Sequence, residues 1–334
     1  MRVVELGLGA VGKENIRQLL KRGHEVVGIV DRQEVLDELD LGGLGLKQQD
    51  AVIEADLAKC LAAAGPDMLL QATKFDHDDM VDVVTKAAAA KCDIVSINPI
   101  VEIRDIFPET YEALDRVARE GGIRVLGVGA VPGFFSDMLP LFMTGACAEV
   151  STVKFSRHNA DFSKWGPAVI KAFGFDEMPA RFRERTQSGE ITLFRSLWQS
   201  AYLIARELGW PILETEDIRE PLVSTRARNA DHVQVKVGNV GGFSHRVVIH
   251  STQSRRIEIE VTGIVDPQGE DEKAATIVEI TGEPSMRVEL SGDVLLSSGS
   301  LASSSARLIN SMTALVSGKP GMRTSADLPL IACK

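Results

Sequence analysis

Residues 1–33 read MRVVELGLGAVGKENIRQLLKRGHEVVGIVDRQ. The apolar residues Val3, Val4 and Leu6 lead into a turn carrying Gly7, Gly9 and Gly12, and Lys13 to Arg22 has the composition of a helix. A second apolar run, Glu25 to Val30, ends in Asp31, nineteen residues past Gly12. A strand, a glycine turn, a helix, a second strand and a distal acid in this spacing fit a dinucleotide-binding βαβ unit. Gly7 permits the tight turn and Gly9 lets the backbone reach a pyrophosphate. Ala10 and Val11 offer first-turn N–H groups to it, and Gly12 lets the helix pack close on the strand. Asp31 suits the ribose hydroxyls of NAD, whereas Arg32 beside it suits the 2′-phosphate of NADP, so both cofactors stay open.

Strand and helix keep alternating for about 150 residues. DMLLQATK (67–74) reads as a buried parallel strand, MVDVVTKAAAAK (80–91) as the returning helix and CDIVSIN (92–98) as the next strand. PETYEALDRVAREGG (108–122) reads as a helix closed by Gly121 or Gly122, before the strand IRVLGVG. The fold class expected is α/β, a Rossmann-type doubly wound parallel sheet with helices on both faces. Ligands of such sheets lie outside the carboxyl ends of the strands. That rule selects Ala72, Thr73 and Lys74, then Asn98 and Pro99, then Gly129 and Pro132, each as a cofactor contact or a plain turn residue. Beyond about residue 150, STVKFSRH, DHVQVKVG, SHRVVIHST, RRIEIEVTGIV and ATIVEITG alternate polar with apolar residues. This is the mark of an open, mostly antiparallel sheet with one wet face, hence a second, α+β domain. A helical region from 166 to 208, with Trp165 before it, carries Phe173, Phe175, Phe194, Trp198 and Tyr202, either pocket walls or helix-on-sheet core. The expected domains are 1–148 for the dinucleotide and 149–300 for substrate and dimer contact, with 301–334 packing back on the first.

A net charge of −10 and a pI near 5.2 argue against nucleic acid and anionic membrane surfaces as partners. No run of about 18 apolar residues is present, and the opening strand leaves no room for a signal peptide. Cys60, Cys92, Cys147 and Cys333 lack metal-ligand or disulfide-frame spacing, which predicts free thiols, no metal and a cytoplasmic protein.

GLGAVG, GVGAVPGFFSDMLPLFMTGACAEV, SRHNADFSKWGP, GGFSH and GKPGMRTSADLP follow one another along nearly the whole chain. In order and spacing they resemble the 2,4-diaminopentanoate dehydrogenase family and the related native amine dehydrogenases, which share an N-terminal fold with dihydrodipicolinate reductase. The resemblance implies a homodimeric NAD(P)-dependent enzyme that interconverts a small-molecule amine with a carbonyl plus ammonia through an imine. It also implies an acidic pair after the strand CDIVSIN, with a glutamate acting on the amine or the attacking water. This chain has NPIVEIRD there: Pro99 and Ile100 hold the nearest equivalent positions, and Glu102 is the closest acid. Glu102 fills the role if the loop bends back; otherwise it is a solvated acid or a partner of Arg104.

In SRHNADFSKWG, Arg157 is expected to clamp a carboxylate or a carbonyl at the start of the helical insert. Asn159 and Asp161 match the family's Asn-Asp motif in part, with Ala160 between them, and all three can equally be loop structure. His245 in GGFSH matches a family histidine and is a proton relay or a structural histidine. Three classes of function stay open: amine or imine oxidoreductase, reductase of a carbonyl or conjugated double bond without ammonia, and non-catalytic nucleotide sensor.

Overall fold

The computed structural model describes residues 1–73, 77–194 and 196–333, with side chains described for all of these except 77, 78, 270, 297 and 298. These residues form two compact units, Met1–Phe134 with Leu301–Lys334, and Phe135–Ser300. In the first unit β1 (Arg2–Leu6), α1 (Ala10–Lys21), β2 (Glu25–Val30), α2 (Gln33–Asp37), β3 (Val52–Glu54) and α3 (Leu57–Ala64) are followed by β4 (Met68–Gln71) and α4 (His77–Ala89). β5 (Asp93–Ser96), α5 (Pro108–Gly121) and β6 (Arg124–Gly127) complete the alternation. The strands pair in parallel in the order β3-β2-β1-β4-β5-β6.

Neighbouring residues of one strand enter opposite cores, because side chains alternate across a sheet. Val4, Leu69, Ile94 and Val125 meet Leu61 of α3, Val84 of α4 and Leu114 of α5. Val3, Leu70, Val95 and Leu126 meet Ile16 and Leu19 of α1. Both faces are therefore dry, which is why these strands read as continuous apolar runs. Gly122, in left-handed conformation, ends α5.

The second unit contains α6 (Met138–Thr144), β7 (Glu149–Asp161), α7 (Pro167–Ala172), α8 (Pro179–Gln187), α9 (Leu197–Glu207) and β8 (Glu214–Val223). After the small pair β9 (Arg228–Ala230) and β10 (Val233–Val235) come β11 (Val240–His250), β12 (Arg256–Ile264), β13 (Ala275–Glu283) and β14 (Met286–Leu290). Among the described residues this sheet has the order β14-β13-β7-β12-β11-β8, antiparallel except for the β12–β7 pair. Finally α10 (Ser297–Leu315) lays Leu308, Met312 and Leu315 on the α1 face of the first sheet, and β15 (Gly321–Arg323) adds in parallel beside β6. No helix among the described residues is long and apolar enough to cross a membrane.

Two local expectations are corrected, and for the aromatic residues the core alternative holds. Among the described residues DHVQVKVG does not join the large sheet; Val233–Val235 pairs with Arg228–Ala230 alone, since alternation specifies a wet and a dry face but not a partner strand. SRHNAD is not the start of the helical insert; it is the end of β7, prolonged past Asn159, whose φ is 54°, through a register shift opposite Val261 and Gly263. The aromatic residues pack mainly on one another: Phe162, Phe173, Phe175, Phe194 and Phe243 form one cluster, with Trp165 stacked on Phe162 at 5.0 Å. Trp198 stacks separately on Tyr202 at 5.9 Å.

Candidate active site

In the first unit β1 and β4 are neighbours at the centre of the sheet, and the strand order reverses between them. A ligand crevice is expected at that switch point, outside the carboxyl ends. A cavity of about 930 Å³ lies there, lined by Gly7 and Gly9 after β1, Asp31 and Arg32 after β2, and Ala72 and Thr73 after β4. Gly7 has φ +104°, and a Cβ on it would stand 2.5 Å from Thr73 Cγ2. A Cβ on Gly12 would stand 1.8 Å from the Gly7 carbonyl oxygen, so α1 can approach the turn only with glycine there. Gly9 is different: a Cβ there would meet nothing within 4 Å.

The start of α1 is built to receive an anion. Asp56 caps α3 by accepting N–H groups from Ala58 and Lys59 at 2.8 and 3.2 Å, whereas Gly9 gives α1 no side-chain cap. A capping side chain would stabilise the helix by about 1 kcal/mol. Its absence leaves the first-turn amides at Ala10 and Val11 to a ligand. Asp31 is fixed in place, Oδ2 accepting from Leu8 N–H at 2.6 Å and Oδ1 from Arg32 N–H at 2.7 Å. A carboxylate has about four acceptor positions, so capacity remains for ribose hydroxyls. The Arg32 side chain is exposed. Thr73 Oγ1 is buried without a hydrogen-bond partner among the described residues, and so is Gln71 Nε2 at the end of β4. Orphans of this kind cost about 1–3 kcal/mol each unless a ligand satisfies them. An open cradle at Gly9, an uncapped helix start and an orphaned hydroxyl together fit a dinucleotide. Lys74 lies outside the described residues.

After β5, Asn98 is buried, its N–H donating to Ser96 Oγ at 3.0 Å, while Pro99 is exposed. Ile100 and Ile103 enter the core and pull the loop inward. Glu102 between them is 2% exposed, and its Oε1 accepts the Arg104 N–H at 2.9 Å. The acid is buried and not a solvated one, and it is not among the described residues that line the cavity. The Arg104 guanidinium instead donates to Tyr111 Oη at 2.9 Å and lies over that ring. After β6, Gly129 is buried and Pro132 half-buried.

In the second unit Arg157, Val261, His245 and Arg219 form one row across β7, β12, β11 and β8. His245 is fully buried. Its Nδ1 accepts the Phe194 N–H at 3.3 Å, which assigns the proton to Nε2, 2.9 Å from Asp217 Oδ1. Burial pushes the imidazole below its ordinary range, against the pull of Asp217, so it is neutral at pH 7. Burial alone would raise Asp217, but hydrogen bonds from His245 and Trp198 and the charge of Arg219 hold it below the usual carboxylate range. With no exposed surface and both nitrogens engaged, His245 is placed to orient its neighbours and not to touch a substrate.

Arg157, half-buried, has no hydrogen-bond or ion-pair partner for its guanidinium among the described residues, and burial pushes its pKa down. Asn159 and Asp161 are bound locally. Asn159 Nδ2 donates to the carbonyls of Asp271 and Lys273 at 3.4 and 3.3 Å, and Asp161 Oδ1 accepts from Ser163 N–H at 2.8 Å. Asp217 and Arg219 escaped the sequence reading because their partner is adjacent only in space. Glu5 also escaped it, although a charged residue inside an apolar run was a visible signal.

Residues 134–334 match the family model described as the 2,4-diaminopentanoate dehydrogenase C-terminal domain. The chain is 27% identical to a 2,4-diaminopentanoate dehydrogenase of Acetoanaerobium sticklandii, over 99% of this chain and 94% of that protein. The structure of an amine dehydrogenase from Mycobacterium smegmatis superposes with a TM-score of 0.85 at 21% identity, covering 100% of this chain and 97% of the other. A scyllo-inositol dehydrogenase from Lactobacillus casei, solved with bound NAD(H) and scyllo-inositol, has a TM-score of 0.58 at 15% identity, covering 98% and 92%. These two likenesses bear on the fold.

Proposed function

The chain belongs to the 2,4-diaminopentanoate dehydrogenase family, and we propose that it is an NAD(P)-dependent oxidoreductase interconverting a small amine with a carbonyl plus ammonia through an imine. The match over residues 134–334, on a chain whose first unit carries the dinucleotide cavity, is the observation that carries this reading. The nicotinamide dinucleotide supplies or accepts the hydride when bound. The turn at Gly7 and Gly9 and the first-turn amides of α1 hold its pyrophosphate. Asp31 takes the ribose hydroxyls of NAD, and Arg32 is placed for the extra phosphate of NADP.

Amine chemistry asks two further things of the chain. An ammonium must lose a proton before hydride can leave its carbon, and we assign that proton to Glu102, as base in one direction and acid in the other. An amine must also be oriented, and Arg157, whose guanidinium has no partner among the described residues, offers a fork to a carboxylate or carbonyl of the substrate. Asn159 and Asp161 hold the end of β7, and His245 positions the row in which Arg157 stands. Replacing Glu102 by Gln keeps the shape and removes the base. The expected result is a fall in kcat of roughly 10²- to 10⁴-fold with cofactor affinity nearly unchanged. Activity within about threefold of the parent would make Glu102 a bystander.

A second reading, reduction of a carbonyl or conjugated double bond without ammonia, is favoured by Pro99 and Ile100 standing where the family carries acids. We also assign a homodimer to the second sheet, following the family resemblance, because face-to-face packing of two copies of an open sheet would protect its edges and apolar residues. Light scattering at micromolar concentration should give twice the chain mass, and the single-chain mass would contradict the assignment.

A further inference from the structure

Glu5 interrupts the apolar run of β1, and the proposed chemistry gives it no task. Its side chain has no exposed surface. On its face of the sheet the paired positions are Ile29 of β2 and Leu70 of β4, both in the core that α1 and α10 cover. Asn15 of α1 points its Nδ2–H at both carboxyl oxygens, at 3.1 and 3.3 Å, and Asn15 Oδ1 accepts from Ser305 Oγ of α10 at 2.6 Å. None of these facing groups is charged. On α1, Glu14 and Arg17 pair with each other at 2.5 Å; on α10, Arg307 donates to the Gly133 carbonyl and stacks on Phe134.

A carboxylate in such surroundings, with no cation among the described residues to pair with, is costly, and the group stays neutral instead. Burial accordingly pushes Glu5 well above the usual carboxylate range, against the hydrogen bond from Asn15. Location makes this consequential. Glu5 Oε1 lies 3.0 Å from the point a Cβ on Gly12 would occupy, in the first turn of α1. The carboxyl therefore rests against the same helix start that receives the pyrophosphate. An anion there would draw on the partial positive charge of that terminus and compete with the ligand for it.

We propose that Glu5 is a proton-linked positioning residue of the dinucleotide site: α1 and its glycine turn hold the pyrophosphate while the Glu5 carboxyl is in its acid form. The inference rests on the dinucleotide reading of the cavity. At a pH where the free protein carries Glu5 as carboxylate, binding takes one proton from solvent and converts it to the carboxylic acid. Affinity then falls by up to about tenfold per pH unit as pH rises.

The test is fluorescence titration of NADH into the full-length protein and into Glu5→Gln, from about pH 6 to about pH 9. The two proteins should bind alike at the acid end. Toward the alkaline end the parent should weaken roughly tenfold while Glu5→Gln stays level. Identical pH profiles would overturn the proposal. Should Glu5→Gln fail to fold, calorimetry of NADH binding to the parent in two alkaline buffers of different ionisation enthalpy replaces it. Proton uptake is expected, and no uptake overturns the proposal. Binding by neither protein at any pH would instead overturn the dinucleotide reading, and this inference with it.

Discussion

Arg157 and His245 stand in one row of the second sheet, separated by Val261, and they bury nitrogen in opposite ways. His245 is neutral and satisfied, while Arg157 carries a charge that has no partner among the described residues. Taking a charge partly out of water without pairing it is unfavourable, so a partner supplied by substrate is the physical reason to keep it. His245 has a pH signature. Its folded pKa lies below its unfolded value near 6.5, so the unfolded chain takes up the proton first as pH falls. The stability this histidine contributes is present above about pH 6.5 and is lost below it, each tenfold difference in proton affinity between the two states being worth about 1.4 kcal/mol. The thermal midpoint should thus drop from about pH 7 to about pH 5 in the parent and drop less in His245→Gln. Equal drops would show that the imidazole is not held neutral. Sequence marked both residues but not their environments, because Asp217, Arg219 and the Phe194 amide reach His245 only through folding.

The first βαβ element was legible because three constraints converge on it: two dry strands, a turn that excludes side chains at positions 7 and 12, and a helix start without a cap. Gly9 differs from the other two in facing open space, so a large side chain there should fill the cradle and leave the fold intact. Gly9→Trp is expected to abolish NAD(P) binding in a protein with parent-like circular dichroism. Retained affinity in that folded variant would remove the turn from the site. The edge elements were less legible. β8 reads ETEDIREPLV, and its charges hide the strand because an edge with a wet face can carry them. β14 is largely exposed and was missed for the same reason. The phenylalanine cluster was seen as a concentration of rings. That Gly263 makes room for Phe162 and Phe243, whose atoms would stand 2.7 and 2.6 Å from a Cβ there, could not be seen without the strand pairing.

Across the whole molecule, the chain leaves the first unit after Phe134 and returns to it at Leu301, so that α10 and β15 complete a core begun by β1. The serine-rich stretch before residue 306 reads as small-residue packing by composition, and the helix it opens turns Leu308, Met312 and Leu315 inward at helical spacing. Fold class was legible from the change in texture near residue 150, because parallel strands dry on both faces and half-wet strands obey different periods. The chemistry was legible only through motif order, since its groups sit on separate loops and strands. On the family's chemistry, this molecule moves hydride to and from a carbon bearing nitrogen. The most direct measurement follows nicotinamide absorbance as the protein, with NADH or NADPH, meets a panel of small ketones with and without ammonium. Ketone-dependent oxidation of the cofactor that requires ammonium, and its reversal with the matching amine and oxidised cofactor, is the predicted result. Ketone reduction at the same rate without ammonium would show that nitrogen takes no part in the reaction.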